Sequence, residues 1–336
     1  MRVITAVFAF IAVSLGSNGH AGAPDYGPDL ERFTYPHPVS EFEFTSQREP
    51  VSMAFMDVQP EQEPAATVVL LHGKNFCGAY WHQTIDHLAA RGYRVVVPDQ
   101  IGFCKSSKPE AYQYTFAQLA DNTRKLLDAL DVEQVKLLGH SMGGMLATRF
   151  ALQYPDRVEH LAMLNPIGLE DWRAMGVPYR SVDQIFESEM EKDYESIREY
   201  QKTYYYDGNW NSNYDRWARM LAATYESDER DRVAWAQART ADMVMTQPVL
   251  YQFDQLEMPV TLLIGDRDRT AIGRPLVDDE LGERMGDYTT LGDRALERLQ
   301  DGELILFEGI GHMPHIEAPE QYLEALDGLF QADLEE

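Results

Sequence analysis

Five residues, Gly139-His140-Ser141-Met142-Gly143, place a serine between two glycines, directly after an apolar run at 135–138 and before an amphipathic stretch at 145–153. A serine on so sharp a strand-to-helix turn takes strained backbone angles, and the absence of a Cβ two residues to either side avoids collision within the turn. The chemistry this suits is nucleophilic attack, for which a serine hydroxyl needs a base within hydrogen-bond reach. Nine histidines compete. His312 is preferred because its loop, Gly309-Ile-Gly-His-Met-Pro314, follows the last apolar run, at 304–307. His315 is the nearest rival, and His140, beside the serine in a tight turn, reads as a packing residue. The base in turn needs an acid to hold its tautomer and stabilise its positive charge. Gly265-Asp-Arg-Asp268 follows the run at 260–264; Asp268, further into the loop, is the candidate acid, while Asp266 reads as a brace of the turn or a partner for an arginine. A tetrahedral oxyanion requires backbone donors. The expected ones are the amides of Met142 and of Lys74, the latter in the loop His72-Gly-Lys-Asn75 after the run at 66–71.

These residues gain meaning from the elements that carry them. Segments 41–45 and 51–58 alternate apolar and polar residues and predict two antiparallel strands. The runs at 66–71, 93–97, 135–138, 161–164, 260–264 and 304–307 are unbroken and rich in β-branched residues, as in strands buried on both faces of a parallel sheet. Helical patterns at 81–90, 116–130, 145–153 and 320–330 fall between or after them. Alternating strand and helix predicts a doubly wound α/β sheet, with ligands bound outside the carboxyl ends of the strands. Residues 166–257 break the rhythm: there is no convincing buried strand, but aromatic-rich helical segments occur at 194–206 and 214–225, which predicts an inserted helical cap. Its aromatic residues suit pocket lining or helix packing alike. The expected organisation is therefore a core at 41–165, a cap at 166–257 and a second part of the core at 258–332.

The formal net charge is −26, so a phosphate backbone or an anionic membrane would be repelled. Arg2, the apolar stretch 3–15 and the small residues that follow read as a signal peptide cut after Ala21, which makes export to the periplasm or medium the expectation.

The succession Leu71-His-Gly73, Pro98-Asp-Gln-Ile-Gly102 with Lys105-Ser-Ser-Lys-Pro109, the serine turn, Gly265-Asp-Arg-Asp268 and Gly311-His312 resembles the α/β-hydrolase superfamily, over about 41–330. Within it the chain is similar to the branch of esterases, cofactor-free haloperoxidases and carbon–carbon bond hydrolases. The resemblance implies a mostly parallel eight-stranded sheet, a nucleophile at Ser141, an acid at Asp268, a base at His312, and no metal or organic cofactor. Cys104 stands where the family usually has glycine and Lys74 where an apolar residue is common. Carboxylic-ester hydrolysis through an acyl-enzyme is the first reading, with a small acyl substrate as the partner. Carbon–carbon cleavage and peracid formation use the same groups, and a binding module that lost turnover is a third, disfavoured by the intact set of three residues. Cys77 and Cys104 are the two cysteines; in this fold their loops should leave neighbouring strands, making a disulfide a candidate beside two free thiols.

Overall fold

The computed structural model describes residues 24–330; the expected signal peptide lies outside the described residues. Eight strands form one sheet: β1 (Val39–Ser46), β2 (Glu49–Val58), β3 (Thr67–Leu71), β4 (Arg94–Pro98), β5 (Val135–His140), β6 (Val158–Leu164), β7 (Val260–Gly265) and β8 (Gly302–Phe307), in the order β1-β2-β4-β3-β5-β6-β7-β8. The pairings β1–β2 and β2–β4 are antiparallel and the rest parallel. Each of the eight strand expectations has its counterpart here, within three residues at either end. The central strands explain why: every residue of β5 and β7 is buried, so selection for apolar, β-branched side chains acts on both faces. At the edge, β8 is largely accessible along its length and correspondingly mixed in composition.

Helices α1 (His82–Ala90), α2 (Phe116–Ala129) and α3 (Met142–Gln153) cross between the first parallel strands. Between β6 and β7 come α4 (Trp172–Met175), α5 (Val182–Met190), α6 (Tyr194–Tyr200), α7 (Asp215–Tyr225) and α8 (Arg230–Thr246), and no strand among the described residues. The stretch after β7 holds α9 (Asp279–Arg284) and α10 (Tyr288–Leu296), and α11 (Pro314–Glu317) and α12 (Pro319–Phe330) close the chain. The all-helical insertion is capped by local chemistry: Ser181 with Gln184, and Asp193 with Ser196, form reciprocal capping boxes that start α5 and α6. Just after α6 the chain relaxes into a π-turn at Gln201–Tyr205.

Two polar contacts seat the insertion on the sheet. Asp29, in the segment before β1, is gripped by Lys108 Nζ at 2.5 Å from the core side and by Arg232 of α8 at 2.9 Å. The Lys108 side chain is almost wholly buried, so it depends on that carboxylate and on the carbonyls of Cys104 and Ser106. Nearer the centre, Lys74 Nζ donates to Gln237 Oε1 of α8 at 2.8 Å and lies 3.8 Å from Glu189 of α5. Burial alone would raise the Glu189 carboxyl; the charges of Lys192, 2.7 Å away, and Lys74, with hydrogen bonds from Lys192 and Tyr225, override it and hold the group down at about 2. For Lys74 the balance goes the other way: burial outweighs Glu189 and lowers the ammonium to about 8.

A depressed carboxyl stabilises the fold above its unfolded value and loses that contribution as the pH falls. Glu189 should therefore supply stability that is full above pH 4.5 and is lost toward pH 2, up to about 3 kcal/mol. The stability gap between wild type and Glu189→Gln, measured by urea unfolding, should narrow over that window; a gap independent of pH would assign the acid sensitivity elsewhere. Asp29→Asn leaves Lys108 buried without its counter-charge, and should cost about 2 kcal/mol in the same assay, the solvent access of Asp29 keeping it below the full buried-pair penalty. An unchanged midpoint would mean that the segment before β1 does not hold the insertion.

Candidate active site

Ser141 sits where β5 turns into α3, with φ 55° and ψ −120°. That conformation is rarely tolerated by a residue with a side chain, and the surroundings enforce it. A methyl group on Gly139 would come 2.2 Å from the Gly143 carbonyl oxygen, and one on Gly143 would come 2.1 Å from that of Leu71 in β3. Met142 opens α3, so its N–H has no acceptor one turn back and is free to face a developing negative charge. The loop after β3 passes alongside: a methyl group on Gly73 would lie 3.1 Å from Ser141 Cβ, which puts the next residue, Lys74, at the nucleophile's flank. The hydroxyl-bearing residue is 6% exposed.

Behind it, His312 Nδ1–H donates to Asp268 Oδ2 at 2.5 Å, both residues being fully buried. The pair is fixed from three sides. Asp268 Oδ2 also accepts Asn165 Nδ2 at 2.9 Å, its Oδ1 accepts the Thr270 amide at 2.8 Å, and the His312 amide donates to the Tyr205 carbonyl at 2.7 Å. With Nδ1 committed to the carboxylate, the ring's Nε2 is buried and has no partner among the described residues, which leaves it as the nitrogen able to accept a proton. Asp266 instead accepts the Gly309 amide at 2.8 Å, bracing the loop after β7 against the loop after β8.

His140 and His315 are held within the packing behind the site. His140 Nε2 lies 2.9 Å from the His312 carbonyl oxygen, which can only accept, so Nε2 carries the hydrogen. Its Nδ1 then accepts from Tyr80 O–H at 3.0 Å, and that hydroxyl oxygen accepts the Gly73 amide, also at 3.0 Å. The chain Gly73–Tyr80–His140–His312 so joins the loop flanking the serine to the loop of the base. It requires a neutral imidazole, and burial, with the imidazoles of His312 and His315 next, holds His140 well below the ordinary histidine value. His315 is similarly depressed by burial and stacks on Trp81 at 4.8 Å.

Several groups at the site carry no local sequence signal. Asn165, at φ 37°, follows β6 and binds Asp268 while its Oδ1 accepts the Gly265 amide at 3.0 Å; a polar residue at the carboxyl end of a buried strand was the available clue. Tyr205 lies over the His312 ring with centroids 4.5 Å apart, and its hydroxyl accepts Asn75 Nδ2 at 2.8 Å. A methyl on Gly311 would strike the Tyr205 carbonyl at 2.0 Å, so the helical insertion docks on the base loop through backbone contact. Beside this lies a cavity of about 400 Å³ that reaches the site at Lys74, Asn75, Tyr200 and Gln201, its remaining wall largely apolar and drawn from α5 to α8 and residues 271–276.

The candidate disulfide is corrected to two free thiols. β3 and β4 are indeed neighbours and the two cysteine side chains touch, but Cys104 S–H donates to the Phe76 carbonyl at 3.2 Å and Cys77 Sγ lies 3.2 Å from Met220 Sδ. Burial, with the Cys77 contact next, pushes the Cys104 thiol well above its ordinary value and keeps it protonated. Cys104 has φ 49°, the left-handed region that accounts for the family's usual glycine at this position. Among the described residues no group of histidine, cysteine, aspartate and glutamate side chains could hold a metal ion, and no helix is long and apolar enough to cross a membrane.

The family model for the α/β hydrolase fold matches residues 66–272. A crystal structure of a probable hydrolytic enzyme from Pseudomonas aeruginosa PAO1 is 51% identical, covers 92% of this chain and 99% of its own, and superposes with a TM-score of 0.91. The 2-hydroxy-6-oxo-6-phenylhexa-2,4-dienoate hydrolase of Comamonas testosteroni is 31% identical over 143 residues, which is 42% of this chain and only half the length of that relative. An esterase from Exiguobacterium antarcticum, 18% identical over 84% of this chain and 96% of its own, shares the fold with a TM-score of 0.65. On the strength of the family match, the near-complete coverage of the Pseudomonas structure and the sheet order described above, this chain belongs to the α/β-hydrolase fold family.

Proposed function

We propose that the protein hydrolyses carboxylic esters through an acyl-enzyme formed on Ser141. The observation that carries this reading is the His312 ring: one nitrogen is locked on the buried Asp268 carboxylate and the other is buried and without a partner among the described residues, hence available as a base, on a loop whose carbonyl binds His140, the neighbour of the strained Ser141, at 2.9 Å. In the first step Ser141 Oγ gives its proton to His312 Nε2 and attacks the acyl carbon. The amides of Met142 and Lys74 receive the oxyanion, and Nε2–H then protonates the departing alkoxide. Water completes the cycle, giving its proton to Nε2 and its oxygen to the acyl carbon, and Ser141 regains its hydrogen. The largely apolar cavity beside the site suits esters with a modest apolar portion.

A second reading, cleavage of a carbon–carbon bond in a vinylogous diketone, is favoured by the likeness to the Comamonas ring-fission hydrolase. The same nucleophile, base and oxyanion donors serve both reactions, so side-by-side turnover of a p-nitrophenyl ester and a ring-fission product decides between them.

Ser141→Ala and His312→Ala should each reduce turnover of p-nitrophenyl butyrate by on the order of 10⁴-fold or more, since members of such a unit act together, and Asp268→Asn should cost less than either. Asp266→Asn should be milder still, its carboxylate being spent on the Gly309 amide. A folded Ser141→Ala that retains full activity, or an Asp266→Asn worse than Asp268→Asn, would sink the assignment. Labelling of Ser141 by a fluorophosphonate, read by mass spectrometry, should be lost in the His312 variant.

A further inference from the structure

We propose that the cavity binds a neutral carboxamide-like group, one that offers a hydrogen-bond donor and acceptor side by side, and that Gln201 is the residue that selects it. The inference rests on the ester-hydrolase reading and names the substrate class within it. Gln201 is 1% exposed and lines the cavity, yet neither its Oε1 nor its Nε2 has a hydrogen-bond partner within the protein among the described residues. A buried amide left without partners costs on the order of 1–3 kcal/mol, so such a side chain is usually met by something that binds.

Its position argues for substrate. Gln201 opens the π-turn, which its own carbonyl closes by accepting the Tyr206 amide at 3.2 Å. Four residues carry a helical chain nearly once round, which puts Gln201 and Tyr205 on a shared face, and Tyr205 covers His312 and binds Asn75 of the oxyanion loop. A π-turn inside a helix is itself frequent at functional sites. A substrate whose scissile carbonyl meets Ser141 would extend past Tyr205 into the cavity and bring its distal portion to Gln201.

The class of group follows from what else lines the wall. The cations there are already engaged: Lys74 with Gln237 and Glu189, Lys192 with Glu189, and Arg180 with the Gln184 carbonyl and Ser188. A carboxylate only accepts, so it would pair with Gln201 Nε2 and leave Oε1 unmet, and a plain hydrocarbon would leave both atoms unsatisfied. A primary carboxamide or a lactam edge pairs with both of its atoms at once. The cavity's other buried unpartnered atom, Asp242 Oδ1, is an acceptor, so it too suits a group that donates and disfavours a carboxylate.

The test uses p-nitrophenyl esters of straight-chain acids of several lengths, each ending either in a primary carboxamide or in the isosteric isopropyl group. At the best chain length the wild-type enzyme should favour the carboxamide ester by about tenfold or more in kcat/KM, because a site built to pair polar atoms rejects the analogue that lacks them. Gln201→Leu should bring that ratio to near unity, largely by raising kcat/KM for the isopropyl ester; if this variant does not fold, Gln201→Met serves in its place. A wild-type ratio near one at every length, or a preference that survives substitution of Gln201, overturns the proposal. Failure of the ester-hydrolase reading is distinct, since wild type would then turn over neither ester, or Ser141→Ala would match it.

Discussion

Everything at the site follows from a steric constraint: the backbone of β3 runs so close to the start of α3 that only a glycine fits at position 143, and Ser141 is pressed into a left-handed conformation as the chain turns there. That contact exists because β3 and β5 are hydrogen-bonded neighbours, with Leu71 opposite Gly139. Once it is made, the loop after β3 has to emerge beside the serine, so the placement of the Lys74 amide and the exposure of the Met142 amide are consequences of one close approach. The free energy stored in the strained residue is held by burial of the strands around it, several of whose residues are wholly inaccessible.

The polar network behind the serine obeys a comparable economy of donors. A carbonyl cannot donate, so the His312 main chain dictates the tautomer of His140; that tautomer dictates the direction of the Tyr80 hydroxyl, which is then able to receive Gly73. His140 thus transmits position between two loops and takes no proton of its own. Asn165 has a parallel function for Asp268, joining β6 to the loop after β7 with both ends of its amide used. Low dielectric makes such chains stiff when complete and costly when broken.

How much of this was legible beforehand divides along physical lines. The strands could be read because burial on both faces leaves an unbroken apolar run, and the serine turn because its glycines are demanded by contacts within a few residues or across one neighbouring strand. The order of serine, aspartate and histidine along the chain marked the loops that carry the three residues, and the bond to His312 separated Asp268 from Asp266. Asn165 and Asn75 escaped notice, and Tyr205 stood out only as one of the insertion's aromatic residues, because their roles arise from pairings across 100 to 130 positions, for which composition and periodicity carry no trace. The segment before β1 lies outside the core expected at 41–165, yet it buries Leu30 and Phe33 and supplies Asp29 to Lys108 and Arg232. The cysteines show the reverse case: sequence brought the right loops together and the side chains touch, yet both thiols are free and each has another partner.

The double grip on Asp29 has a mechanical corollary. A carboxylate shared by Lys108 of the core and Arg232 of α8 behaves as a pin through two plates, and the Arg216 side chain of α7 adds a further fastening at the Thr34 carbonyl on the same flank. Parting the plates there would strip a buried ammonium of its counter-ion. On that flank, therefore, the insertion is held to the core by charge, one carboxylate answering a cation from each side.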